Sequence, residues 1–88
     1  MNLRPVGPNQ TELQFDAGTV IFFSYETPVA ALVPMIGVRG GKRLMLTNKF
    51  YSVTTSRHIN QWTNDKTDYD WQSVDPEEIK KMIPQGDQ

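Results

Sequence analysis

The sequence predicts an α+β domain: a curved, meander-like antiparallel sheet of four or five strands with two short helices packed at its C-terminal side. Three observations predict it. Between Glu12 and Thr54, short stretches either alternate polar with apolar residues or run together in β-branched and aromatic ones, and short turn-like connections separate them. Beyond Thr54 the apolar spacing changes from two to three, as at Ile59 and Trp62. A helix-capping signal then stands at Asp75.

Met1 to Thr11 carries two Pro, a Gly, two Asn and a Gln with little periodicity, so it reads as an irregular arm. Glu12–Asp16 alternates with period two and Thr19–Tyr25 is β-branched and aromatic; Ala17-Gly18 between them makes a hairpin. Val29 to Val33 is a short apolar run bracketed by Pro28 and Pro34, which places it as a strand near a sheet edge, where a missing N–H costs least. Gly37, Gly40 and Gly41 mark a loop tip, because glycine adopts positive φ without a Cβ clash. Arg43–Thr47 and Phe50–Thr54 read as the remaining strands, joined by Asn48-Lys49. Residues 56 to 63 read as a short helix with Thr55 or Ser56 as N-cap, and residues 64 to 73 as a polar loop tied down by Tyr69 and Trp71. Asp75 as N-cap, Pro76 at the first helical position, Glu78 three residues past the cap, and Val74 with Ile79 as a staple together start a second helix, which Pro84 and Gly86 end. The organisation expected is one domain over 1–88, with an arm at 1–11, the sheet at 12–54, and helices and an acidic loop at 55–88.

Length and composition narrow the function classes. A chain of 88 residues is too short for a cofactor domain plus a substrate domain, since single domains already run to roughly 100–200 residues. A domain this small buries only about 60–65% of its unfolded surface, so shallow binding surfaces are expected before deep pockets. With no cysteine there is neither disulfide nor thiolate chemistry, and a single histidine leaves no His-based metal cluster. No cofactor is expected. The N-terminus lacks the apolar run of a signal peptide and nothing approaches the ~20 apolar residues of a membrane span, so the expected location is the cytoplasm.

Nine Lys and Arg against ten Asp and Glu conceal an uneven layout. From residue 27 to 64 there is no carboxylate, only Arg39, Lys42, Arg43, Lys49 and Arg57, with His58 beside them. From Asp65 to Glu78 six carboxylates face Lys66 alone. Two such segments can pair within the fold or present separate binding faces. The cations, with Phe50 and Tyr51 close by in sequence, have the chemistry of a single-stranded nucleic-acid binder, but a net charge of −1 and no matching motif argue for a solvated hairpin. Asp65, Asp68 and Asp70 lack the glycine and distal glutamate of a calcium loop, so no metal is assigned to them. His58 is the natural general base, yet Ser56, two residues away on a helix, points elsewhere. Nine large rings in so small a chain call for cover on both sheet faces, which an arm, curling of the sheet, or a second copy of the chain would supply.

Phe23-Ser24-Tyr25-Glu26-Thr27-Pro28-Val29-Ala30-Ala31 and Phe50-Tyr51-Ser52-Val53-Thr54-Thr55-Ser56-Arg57-His58-Ile59-Asn60-Gln61-Trp62 together resemble a group of small proteins of unknown function encoded by tailed bacteriophages and prophages. In that group a Ser-Tyr-x-Thr-Pro-Val-Ala segment precedes Tyr-Ser-x-Thr-Thr-Ser-x-His-Ile-Asn-x-Trp. The resemblance covers residues 12 to 64 and implies a phage accessory origin without any catalytic assignment. The polar residues of the two motifs suit a strand-to-helix junction, where they would cap the helix and tie it to the strand. The expected function is a non-enzymatic accessory protein that binds a host or phage protein through the Arg39 to Arg43 loop and the Tyr69-Trp71 segment. A nucleic-acid module using the five cations is the alternative, and a small hydrolase using His58 a distant third.

Overall fold

The hairpin forms where its alternation demands it. In the computed structural model, which describes residues 2–83, β2 (Gln10–Gln14) and β3 (Val20–Ser24) pair antiparallel with Leu13 opposite Ile21. They are two of the six strands among the described residues. β1 (Asn2–Gly7), β4 (Thr27–Pro34), β5 (Lys42–Thr47) and β6 (Asp70–Val74) complete a sheet whose spatial order is the chain order, β1 to β6. β1 to β5 are an antiparallel meander. β6 runs parallel to β5, with Arg43 opposite Asp70 and Leu44 opposite Trp71. A parallel neighbour cannot be reached by a tight turn, and α1 (Val53–Thr63) makes the crossover.

Several expectations are thereby corrected. The arm at 1–11 is mostly strand. β1 pairs with β2 from Asn2 opposite Gln14 to Gly7 opposite Gln10, and its residues are almost all exposed, so there was no buried alternation to read. The sheet has six strands and is mixed. Val29 to Val33 belongs to a central strand, between β3 and β5. Its prolines are tolerated because Pro28 sits where the β3–β4 register shifts and Pro34 ends the strand. The shift leaves Val29 as an extra residue, which packs with Ala30 on one face. Phe50–Thr54 is not a strand: Ser52 caps α1 by accepting from the Thr55 N–H at 3.0 Å, so the helix begins at Val53. The glycine-rich tip forms one 3₁₀ turn over Arg39–Gly41, with Gly40 at φ 75°.

The two helices cover opposite faces of the sheet. Between α1 and the sheet, Phe22, Val29, Ala30, Leu32 and Leu44 pack with the helix's own Trp62, joined by the partly buried Ile59 of α1 and Tyr69. The other face carries Leu13, Ile21, Ala31 and Val74, covered by α2 (Pro76–Lys80) through Ile79 and by Met82 and Ile83. Asp75 accepts from the Glu77 N–H at 3.1 Å, Pro76 stands in the first turn, and Val74 and Ile79 share the cluster, as the sequence signal requires. Pro84 and Gly86, the expected stop, lie outside the described residues. No helix among the described residues is long and apolar enough to cross a membrane.

Candidate functional site

His58 and its neighbours come together first, and they form a closed polar knot. β3 presents Ser24 to the first turns of α1, where Ser24 Oγ lies 2.8 Å from His58 Nδ1 and 3.1 Å from Thr55 Oγ1. The hydroxyl can donate to one and accept from the other, so the row is satisfied with either tautomer of the ring. Tyr25, held at φ 58° in the β3–β4 turn, leans its ring against the imidazole at 5.7 Å between centroids. Ser24 is 1% exposed, so a substrate carbonyl has no path to its oxygen, and His58 is buried. The two sequence motifs therefore meet as expected, as a strand-to-helix junction.

A second buried pairing spans fifty positions of sequence. Trp62 Nε1 donates to Glu12 Oε2 at 2.7 Å, and Gln14 donates to the other Glu12 oxygen at 2.9 Å. The indole stacks on Phe22, with centroids 4.8 Å apart, and Lys66 Nζ lies 4.3 Å from its ring centre. A polar hollow of about 380 Å³ opens beside it, between β1 and the end of α1. Four of the side chains that line it are engaged with one another: Glu12 with Trp62, as above, and Lys66 Nζ, which donates to the Trp62 carbonyl at 2.9 Å and to Asp65 Oδ1 at 3.0 Å. That hydrogen bond and the ammonium charge hold the Asp65 carboxyl below its ordinary value, against a small opposing effect of burial.

The open chemistry is at the other end of the same face. A groove of about 400 Å³ has Leu44 and Leu46 of β5 and Trp71 of β6 as its apolar lining, with Tyr69, Thr63, Thr67, Lys66 and Arg39 around them. Trp71 is 64% exposed, although its position opposite Leu44 turns it to the α1 face. The 3₁₀ turn closes one end. A Cβ on Gly40 would stand 2.7 Å from Tyr69 Cδ1, so only glycine lets the turn lie against that ring, and its positive φ requires glycine as well. Arg39 Nε reaches Asp70 Oδ1 at 3.7 Å. The Arg39 end of the Arg39 to Arg43 loop and the Tyr69-Trp71 segment, two separate surfaces in the sequence, thus meet at one groove, which Lys42 and Arg43 do not line.

The five cations are divided. Arg39 is at the groove, Lys42 begins β5, and Arg43 donates to Gln72 Oε1 at 3.2 Å. Lys49 lies beyond the opposite end of β5, over the Tyr51 ring at 5.0 Å, and Arg57 stands on the outer side of α1 with Asn60, Gln61 and Asn64. The basic and acidic segments do meet, through the β5–β6 pairing and the Arg39–Asp70 contact. Among the described residues no three His, Asp or Glu side chains are placed to hold a metal ion. Sequence reasoning missed Leu44, Leu46, Thr63, Lys66 and Thr67 as groove residues, because only the parallel crossover brings them to Trp71.

Comparison with known proteins gives one match. The model of a family described as a family of unknown function (DUF8033) matches residues 1–79. No curated protein and no solved structure matches the chain.

Proposed function

The chain belongs to that family of unknown function, and from this premise we propose that it is a non-enzymatic bacteriophage accessory protein that binds a host or phage protein in the cytoplasm of the host cell. The observation that carries the reading is the convergence of the Arg39 turn and Tyr69-Trp71 on one groove with an exposed indole. Exposed tryptophan flanked by arginine is the composition of interface hot spots, and an apolar floor with a charged rim suits one anchoring side chain of a partner. The phage setting is supported by the resemblance of residues 12 to 64. The host cytoplasm suits a chain without cysteine, which has no disulfide to lose in a reducing compartment.

The test is capture from host lysate on tagged full-length chain, with nuclease treatment and with Trp71→Ser and Arg39→Glu in parallel. A partner protein retained after nuclease, and lost by at least about 30-fold with Trp71→Ser, is the expected result, since hot-spot truncation costs about 2 kcal/mol or more. Retention that nuclease abolishes, falls steeply with salt and is insensitive to Trp71→Ser would overturn the reading in favour of nucleic acid.

A further inference from the structure

We propose that β6 is a self-pairing edge, through which two copies of this chain join their sheets around a two-fold axis at Gln72. Among the described residues α1 and α2 cover the two faces, and the sheet edges at β1 and β6 have no further strand beside them, so these are the places where a second copy can add to the sheet. The two edges differ. β1 carries Arg4, Pro5 and Gly7, and its register shifts between Pro5 and Gly7, all devices that blunt an edge against another strand. β6 reads Asp70-Trp71-Gln72-Ser73-Val74, with no Pro, no Gly, no Lys and no register shift.

The backbone of β6 sets the register. The Val74 carbonyl accepts from the Asn48 N–H at 2.8 Å, so Val74 turns its polar groups toward β5. Direction alternates along a strand, so Gln72 and Asp70 turn inward as well, and Trp71 and Ser73 turn their N–H and C=O outward. An antiparallel copy centred on Gln72 sets Trp71 opposite Ser73 of the second copy, and Ser73 opposite its Trp71. Each such pair exchanges two hydrogen bonds, so all four outward groups of each copy are used, and no like charges stand directly opposite. The axis is perpendicular to the sheet, which keeps the two α1 faces on one side. The two exposed indoles then become diagonal neighbours, within reach of each other, and the two grooves flank the axis. This inference does not rest on the groove's having a protein partner.

Sedimentation equilibrium of the full chain over a wide concentration series tests it. The wild-type mass rises toward twice 10.1 kDa with concentration, while Ser73→Pro, which removes an outward N–H and leaves the β5 ladder its bonds, stays monomeric with an unchanged circular dichroism spectrum. A wild type that stays at the monomer mass, or a Ser73→Pro protein that dimerises equally, would overturn the proposal. Amide exchange on the wild type tests the register without any substitution. Slowing with concentration at Trp71 and Ser73, against no change at Leu3 and Arg4 on β1, is expected; a uniform response overturns it.

Discussion

One face of the sheet holds two tryptophans with opposite fates. Trp62, 6% exposed, lies between Phe22 and Lys66 and gives its N–H to Glu12. Trp71 stands over the groove with most of its surface in water. The difference separates a closed, satisfied core from an open groove. Around Trp62, Ser24 and His58 the polar groups named above have found partners inside the chain, and a satisfied network fixes one packing. Around Trp71 an apolar surface and outward backbone groups are left for something else.

The largest expected effect breaks that contrast. Trp62→Ala removes the stack on Phe22 and leaves Glu12 Oε2 buried without its donor, so it lowers unfolding stability by about 3–5 kcal/mol, most of what a small domain has. Trp71→Ser shifts stability by no more than about 0.5 kcal/mol, because its ring is largely solvated already. Paired denaturant titrations measure both. Equal losses from the two substitutions would show that Trp71 is packed in solution and that the groove is closed.

Ser24→Ala comes next. It strands His58 Nδ1 and Thr55 Oγ1 in a site that lets in little water, which costs about 1–3 kcal/mol. Since the knot ties β3 to the start of α1, amide exchange in the first turn of α1 should accelerate more than exchange in β5. A uniform acceleration would mean that the knot does not hold that junction in particular.

Gly40→Ala acts on the other side of the comparison. At φ 75° an alanine costs roughly 1–2 kcal/mol, and its Cβ also drives the Tyr69 ring aside. The groove changes shape while the Ser24 knot is untouched, so partner capture weakens at temperatures where the protein is fully folded. Capture at wild-type strength would place the contact surface away from this turn.

How much of this was legible depended on burial. β2 and β3 alternate because one face of each is covered, and α2 was marked by its own cap and staple. β1 and β6 are edge strands whose residues are nearly all exposed, so they carry no apolar period, and the first reads as an arm and the second as a loop. The start of α1 was hidden for another reason. Val53, Thr54 and Thr55 are β-branched and favour strands when considered locally, but the Ser52 cap and the packing of Thr55 and His58 against Ser24 override that preference. For the candidate site, Arg39, Tyr69 and Trp71 were visible as residue types; their convergence follows from a parallel β5–β6 pairing across the α1 crossover, which no local pattern encodes. The Glu12–Trp62 bond was invisible for the same reason.

The smallest effect concerns Asp65, where the two regions adjoin, because Lys66 reaches from the Trp62 ring to the groove. The hydrogen bond from Lys66 Nζ, at 3.0 Å, is the larger cause of the depressed Asp65 pKa, and the ammonium charge is the second. A carboxyl with a lower pKa in the folded than in the unfolded chain stabilises the fold fully above its unfolded value and loses that contribution as pH falls through the folded one. The Asp65 side chain is largely in water, so the contribution is small and weakens with salt. The titration midpoint of the Asp65 carboxyl, followed by NMR, should therefore lie below that of an unpaired aspartate and rise toward the ordinary value in Lys66→Gln. An unchanged midpoint in Lys66→Gln would show that the ammonium is held by the Trp62 carbonyl and ring alone, which would place Lys66 wholly with the buried network and leave the groove rim to Arg39.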